Sequence, residues 1–204
     1  MLRTMRFISL IVGPLLMAVS TFFWEGERYG VTAGVIIMIA NALWIYGLIG
    51  VWERIAAIKP WTGAIGIVLA LLGCVGGIAF GLQGFFEGIF EISGSESLDA
   101  ADAYPIASAI VLWLPGPLMP ISLVALGIDL AWSKLAPVWL GVLLVLSGAA
   151  FPLSRITRTE SIAHLADALI LAAFVVLAVH YLRGRMDATP APNSREPVRA
   201  SQPV

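Results

Sequence analysis

Charge is what this sequence has least of. Asp, Glu, Lys and Arg together make up 12% of its 204 residues, about half the quarter that soluble domains carry. A water-soluble fold cannot cover its surface with so few. The charges nearly cancel, to a net of -1, and the basic residues form no patch, which argues against a nucleic-acid partner. Cysteine is nearly missing as well, with Cys74 alone inside an apolar run. One thiol makes neither an intrachain disulfide nor a CxxC metal site, so it reads as a small buried hydrophobe. Alternation with period two is also missing, and with it the signature of a membrane β-barrel.

What is present is apolar, at 59% of positions. A helix needs about 20 such residues to cross hydrocarbon. Six runs qualify: Phe7 to Trp24, Gly30 to Trp52, Trp61 to Phe86, Tyr104 to Ile128, Leu135 to Ser154 and Ser161 to Leu182. The expected fold class is therefore all-α, a polytopic membrane protein whose residues 1–182 form one bundle of six transmembrane helices. Residues 183–204, with Pro190, Pro192, Pro197 and Pro203, read as a disordered cytoplasmic tail. The first run passes a small-residue Ala18-Val19-Ser20 and continues into Phe22, Phe23 and Trp24, favouring an uncleaved anchor over a secretory signal.

Orientation follows from the basic residues. With the N-terminus inside, Arg3, Arg6, Arg54, Lys59, Lys134, Arg183, Arg185, Arg195 and Arg199 are cytoplasmic, and Arg28, Arg155 and Arg158 are external. Both termini are then expected inside a plasma or inner membrane. The carboxylates Glu25, Glu27, Glu87, Glu91, Glu96, Asp99, Asp102 and Glu160 fall outside. Trp24, Trp52, Trp61, Trp132 and Trp139, with Tyr29, Tyr104 and Tyr181, sit at the run ends and are expected in the headgroup layer. The stretch from Ile92 to Ala103 reads as a polar external loop.

Two spans carry unusual backbone chemistry. The third has Gly73, Gly77 and Gly81 at four-residue spacing, a flat groove for another helix, either within the bundle or across a dimer seam. No strand precedes these glycines and no Lys-Ser/Thr follows them, so they are not a nucleotide loop. The fourth has Pro115, Pro117 and Pro120 within six residues. Each removes a backbone donor, so a kink or unwound turn is expected, and breaks of this kind recur at transporter binding sites.

The residues that could carry chemistry are few. Asp167 in the sixth span is costly in hydrocarbon and needs a partner. His164 lies one turn away, and Arg155 and Arg158 come from the loop before. Together they suit a cation or proton relay, or a pin between two helices. Glu87 and Glu91 share a helix face where the third span emerges, and read as a solvated acidic rim or a cation-attracting mouth. Asn41, central in the second span, is expected to hydrogen-bond a neighbouring helix. His164 and His180 are about 24 Å apart along one helix, too far to ligate a single haem. Ser147 and His164 lack the surrounding motif of an intramembrane hydrolase. No catalytic residue, metal site or cofactor is expected.

Three stretches carry a family resemblance: Asn41-Ala42-Leu43-Trp44 running to Trp52-Glu53-Arg54, Leu126-Gly127-Ile128 leading to Ala136-Pro137-Val138-Trp139, and Phe151-Pro152-Leu153-Ser154-Arg155. In these the chain loosely resembles small six-span bacterial membrane proteins, a likeness that brings no activity, substrate or cofactor with it. Two functions remain in view. One is a small-solute or ion-coupled transporter, from the broken fourth span and Asp167. The other is a non-catalytic membrane partner or assembly factor, packing with the lipid bilayer, a second copy or another membrane protein.

Overall fold

In oil every amide must be satisfied within its own segment, and the apolar runs accordingly form helices. The computed structural model describes residues 1–26, 28–157 and 159–187. Helix α1 (Leu2–Ser20) ends in a 3₁₀ turn, Thr21–Phe23, and is followed by α2 (Gly30–Ala56) and α3 (Pro60–Phe90). A short α4 (Gly94–Asp102) leads to α5 (Pro105–Ser108), a π-helical turn (Ala109–Trp113) and α6 (Leu118–Trp132), before α7 (Val138–Thr157) and α8 (Glu160–Leu182) close the chain. Six of these segments are long and apolar enough to cross a membrane, the fourth being the composite Pro105–Trp132. The protein is an all-α multi-pass membrane protein.

Each span packs on its neighbours in sequence: α1 on α2, α2 on α3, α3 on α6, α6 on α7 and α7 on α8, with α8 returning to α1. The six form a closed ring. Met1 and the turn after α8 lie together at one end, here the terminal face; the other end is the far face. Leu10, Trp44, Leu48, Trp52, Leu123, Leu126 and Phe174 fill the interior, while Ile65, Val68, Leu146 and Leu165 point outward, where lipid covers them.

Close crossings depend on glycine. A Cβ on Gly127 would collide with the Gly141 carbonyl oxygen, so α6 and α7 touch backbone to backbone. Between α1 and α2 a hydroxyl does similar work. Ser9 Oγ donates to the Leu43 carbonyl and accepts from the Gly47 N–H at 2.7 Å, inserting itself between two groups that would otherwise pair four residues apart in α2.

Three expectations need correction. Trp24, Tyr29, Trp52 and Tyr181 are buried, leaving Trp61, Tyr104, Trp132 and Trp139 as exposed aromatic residues at span ends. The polar stretch from Ile92 to Ala103 is not a loop throughout but contains α4, nucleated by a capping box in which Ser93 accepts from the Glu96 N–H and Glu96 accepts from the Ser93 N–H. Finally, the chain beyond Leu182 does not loosen at once. Gly184, at φ +67°, turns it back, the Arg185 N–H reaches the His180 carbonyl at 3.1 Å, and Met186 is buried. Glu27, Arg158 and residues 188–204, most of the expected tail, lie outside the described residues.

Candidate functional site

Asp167 is 1% exposed and fully engaged. Its Oδ1 accepts from Arg155 Nη2 at 2.6 Å, and its Oδ2 accepts from Thr21 Oγ1 at 2.6 Å. Arg155 is in the last turn of α7, where the helix dipole favours a cation, so it belongs to a span end and not to the loop that the sequence assigns it. Thr21 reaches the carboxylate because the 3₁₀ turn swings it inward from the end of α1. The triad joins α1, α7 and α8 at the far face. An aspartate so paired avoids the cost of a lone buried charge.

The guanidinium is also held by rings. Its carbon lies 5.1 Å from the Trp24 ring centre and 5.0 Å from that of Phe151, a cation–π arrangement. Among the described residues only Nη2 finds an acceptor; Arg155 Nε and Nη1, and the Trp24 indole N–H, are buried without one. His164 is half-buried and rests on Phe22, ring centres 4.4 Å apart. Among the described residues no hydrogen bond joins it to Asp167. Arg158 lies outside them.

The pair Glu87 and Glu91 separates. Glu87 is not on a solvated rim: it is fully buried, its Oε1 accepting from Ser97 Oγ at 2.7 Å and Gln83 Nε2 at 3.0 Å. Helix α4 folds back over the end of α3 and carries Ser97 onto it. Glu91 is exposed and ends α3 with a left-handed φ of 55°. With Glu25, Arg28, Ile92, Ser93 and Glu96 it lines an open cleft of about 290 Å³ at the far face, where Arg28 Nε pairs with Glu25 at 3.0 Å.

Asn41 is buried in α2 but does not bond a neighbouring helix as expected: its amide donates to the Ile37 carbonyl one turn back in its own helix at 2.9 Å, and its Oδ1 has no partner among the described residues. It faces Gly77, where a Cβ would collide with Oδ1. Gly73 and Gly81 are likewise filled from within the chain, Gly73 by the Met119 backbone and Gly81 by Met38 and the Gly34 carbonyl.

The prolines break the fourth span as expected. The Leu114 N–H reaches back five residues to the Ala109 carbonyl at 2.8 Å, the Gly116 N–H binds the Leu112 carbonyl at 2.9 Å, and the Leu118 N–H binds the Pro115 carbonyl at 3.1 Å. The broken turn is seated on α3, since a Cβ at Gly76 would meet the Pro115 carbonyl carbon at 2.6 Å.

Sequence reasoning missed the terminal face. Asp129, in the last turn of α6, is buried 3.5 Å from Lys59 Nζ, which lies 5.7 Å from the Trp132 ring centre. Arg6 Nη1 pairs with Glu53 at 2.7 Å and donates to Tyr181 Oη at 3.2 Å. The available signal was an arginine and a tyrosine near the ends of neighbouring spans. Neither fixes a partner by sequence distance.

No protein-family model matches this chain, and neither a curated protein nor a solved structure matches it.

Proposed function

We propose that this membrane protein is a small-solute or ion-coupled transporter, held here in a closed arrangement. The observation that carries the reading is the interrupted fourth span. Pro115, Pro117 and Pro120 have no N–H to offer the carbonyls of Val111, Trp113 and Gly116, four residues earlier in each case. Unwound backbone at membrane depth is tolerated beside protein or a wet cavity and is a recurrent means of binding solute. Here the loosened turn lies on the glycine face of α3, where few side chains obstruct a small shift. Ion pairs stand at both ends of the ring: Asp167 with Arg155 at the far face, Asp129 with Lys59 at the terminal face. They suit opposing gates. The competing reading of a packing partner gains little from the glycine face, which the chain's own α2 and α6 occupy.

The test is flux in proteoliposomes, with a pH dye for protons and a halide-quenched dye for chloride, under imposed gradients. Protein-dependent flux is expected, reduced several-fold by Pro117→Ala, which returns a donor to the Trp113 carbonyl. Asp167→Asn is expected to abolish its proton- or cation-dependent part. Wild-type vesicles that pass nothing under any gradient overturn the proposal.

A further inference from the structure

At the far ends of α1 and α7 the hydrogen-bonding ledger is one-sided. Arg155 Nε, Arg155 Nη1 and Trp24 Nε1 are all donors, all buried, and all without an acceptor among the described residues. Both oxygens of the nearby carboxylate are already engaged, Oδ1 by Arg155 Nη2 and Oδ2 by Thr21. The guanidinium carbon is 5.1 Å from the Trp24 ring centre, so the indole N–H lies within about one ring's width of the charge. Trp24 itself is 8% exposed. Buried donors left unmade are expensive, charged ones most of all. A group that accepts without donating, and that carries negative charge, removes that cost.

We propose that this seam binds a small monoanion, a halide or the carboxylate of a small organic acid, between the Arg155 guanidinium and the Trp24 N–H. The faces of Trp24 and Phe151 flank the guanidinium and restrict the ligand's size. A dianion such as hydrogen phosphate fits poorly, because its second charge would oppose Asp167 with no further cation among these groups. A monoanion is met by the guanidinium, which stands between it and Asp167. The site does not depend on the transport reading.

The experiment is the line width of the chloride NMR signal over purified protein in mild detergent, with gluconate as the bulky counter-anion and formate as competitor. Wild type should broaden the line, and formate should narrow it again. Trp24→Phe keeps an aromatic face but removes the N–H together with the five-membered half of the indole; in a variant that still unfolds cooperatively it should weaken binding about tenfold, the loss of one good hydrogen bond. Arg155→Lys, which keeps the charge and loses the planar fork, should weaken it further. A wild-type line that stays narrow, with formate giving no thermal stabilisation either, overturns the site. So does equal broadening by wild type and a folded Trp24→Phe. Broadening without vesicle flux keeps the site and removes the transporter reading alone.

Discussion

Arg3 Nη2 lies 2.6 Å from Asp187 Oδ2, so the first turn of α1 is tied to the turn that follows α8. The other oxygen of Asp187 is 2.8 Å from Arg54 Nη1 at the end of α2, and one carboxylate clasps three spans. Both side chains of the Arg3 pair are 40% exposed, which limits its worth to about 0.2–1 kcal/mol. Asp187→Ala should therefore cost little in overall thermal stability. It should mainly raise hydrogen exchange at residues 183–187; exchange there that stays at the wild-type rate would show the clasp to be idle.

The Asp167–Arg155 pair is a different case because it is buried. Removing one partner of such a pair costs about 3–5 kcal/mol. Asp167→Asn and Arg155→Gln should each lower the unfolding temperature in detergent substantially. The double variant should be more stable than the sum of the two losses predicts, since neither charge is then left alone. Strict additivity would mean that the two side chains do not act on each other.

Gly77 and Asn41 provide a test of packing with a known opposite expectation. In an exposed helix, Gly→Ala stabilises by about 1 kcal/mol. Here the added methyl meets the Asn41 amide, and crowding of that kind costs about 1–3 kcal/mol. Gly77→Ala should therefore destabilise, and adding Asn41→Ala should recover much of the loss. A Gly77→Ala protein that unfolds at a higher temperature would contradict the α2–α3 contact.

Glu96 gives a pH prediction outside the membrane. Its carboxylate accepts from the Ser93 backbone N–H and hydroxyl, and these bonds hold its pKa below the usual glutamate value. With the folded value lowered, the cap is fully effective above the ordinary glutamate pKa of about 4.3. It is lost as pH falls through the lowered one. Exchange protection across Gly94–Asp102 should fall in that acid window. Glu96→Gln should flatten the dependence, and protection that ignores acid in the wild type would remove the capping box from the account.

The spans were legible because a bilayer imposes one length on any helix that crosses it, and sequence displays that length directly. Their ends were less so, since α2 and α3 run on to Ala56 and Phe90 beyond the uncharged stretch. Asp167 and Arg155 could be read as neighbours because a single turn joins α7 to α8. Thr21 could not, being 146 residues away. Ser9, Asp129 and Glu87 were misjudged or passed over for the same reason: each is explained by a partner from another helix. For Glu87 the clue was the Ser93-to-Glu96 spacing, a helix-start signal whose following segment is too short and polar to show a period.

Helix α3 contains 31 residues, about 46 Å at the helical rise, against a hydrocarbon layer of about 30 Å. With Trp61 at one headgroup level, an upright rod carries the final turns about 44 Å away, into the opposite headgroup layer of a bilayer about 40–45 Å thick in all. Glu87 is then sheltered by protein yet clear of the oil. The acidic cleft at the far face then lies at headgroup level, above the oil.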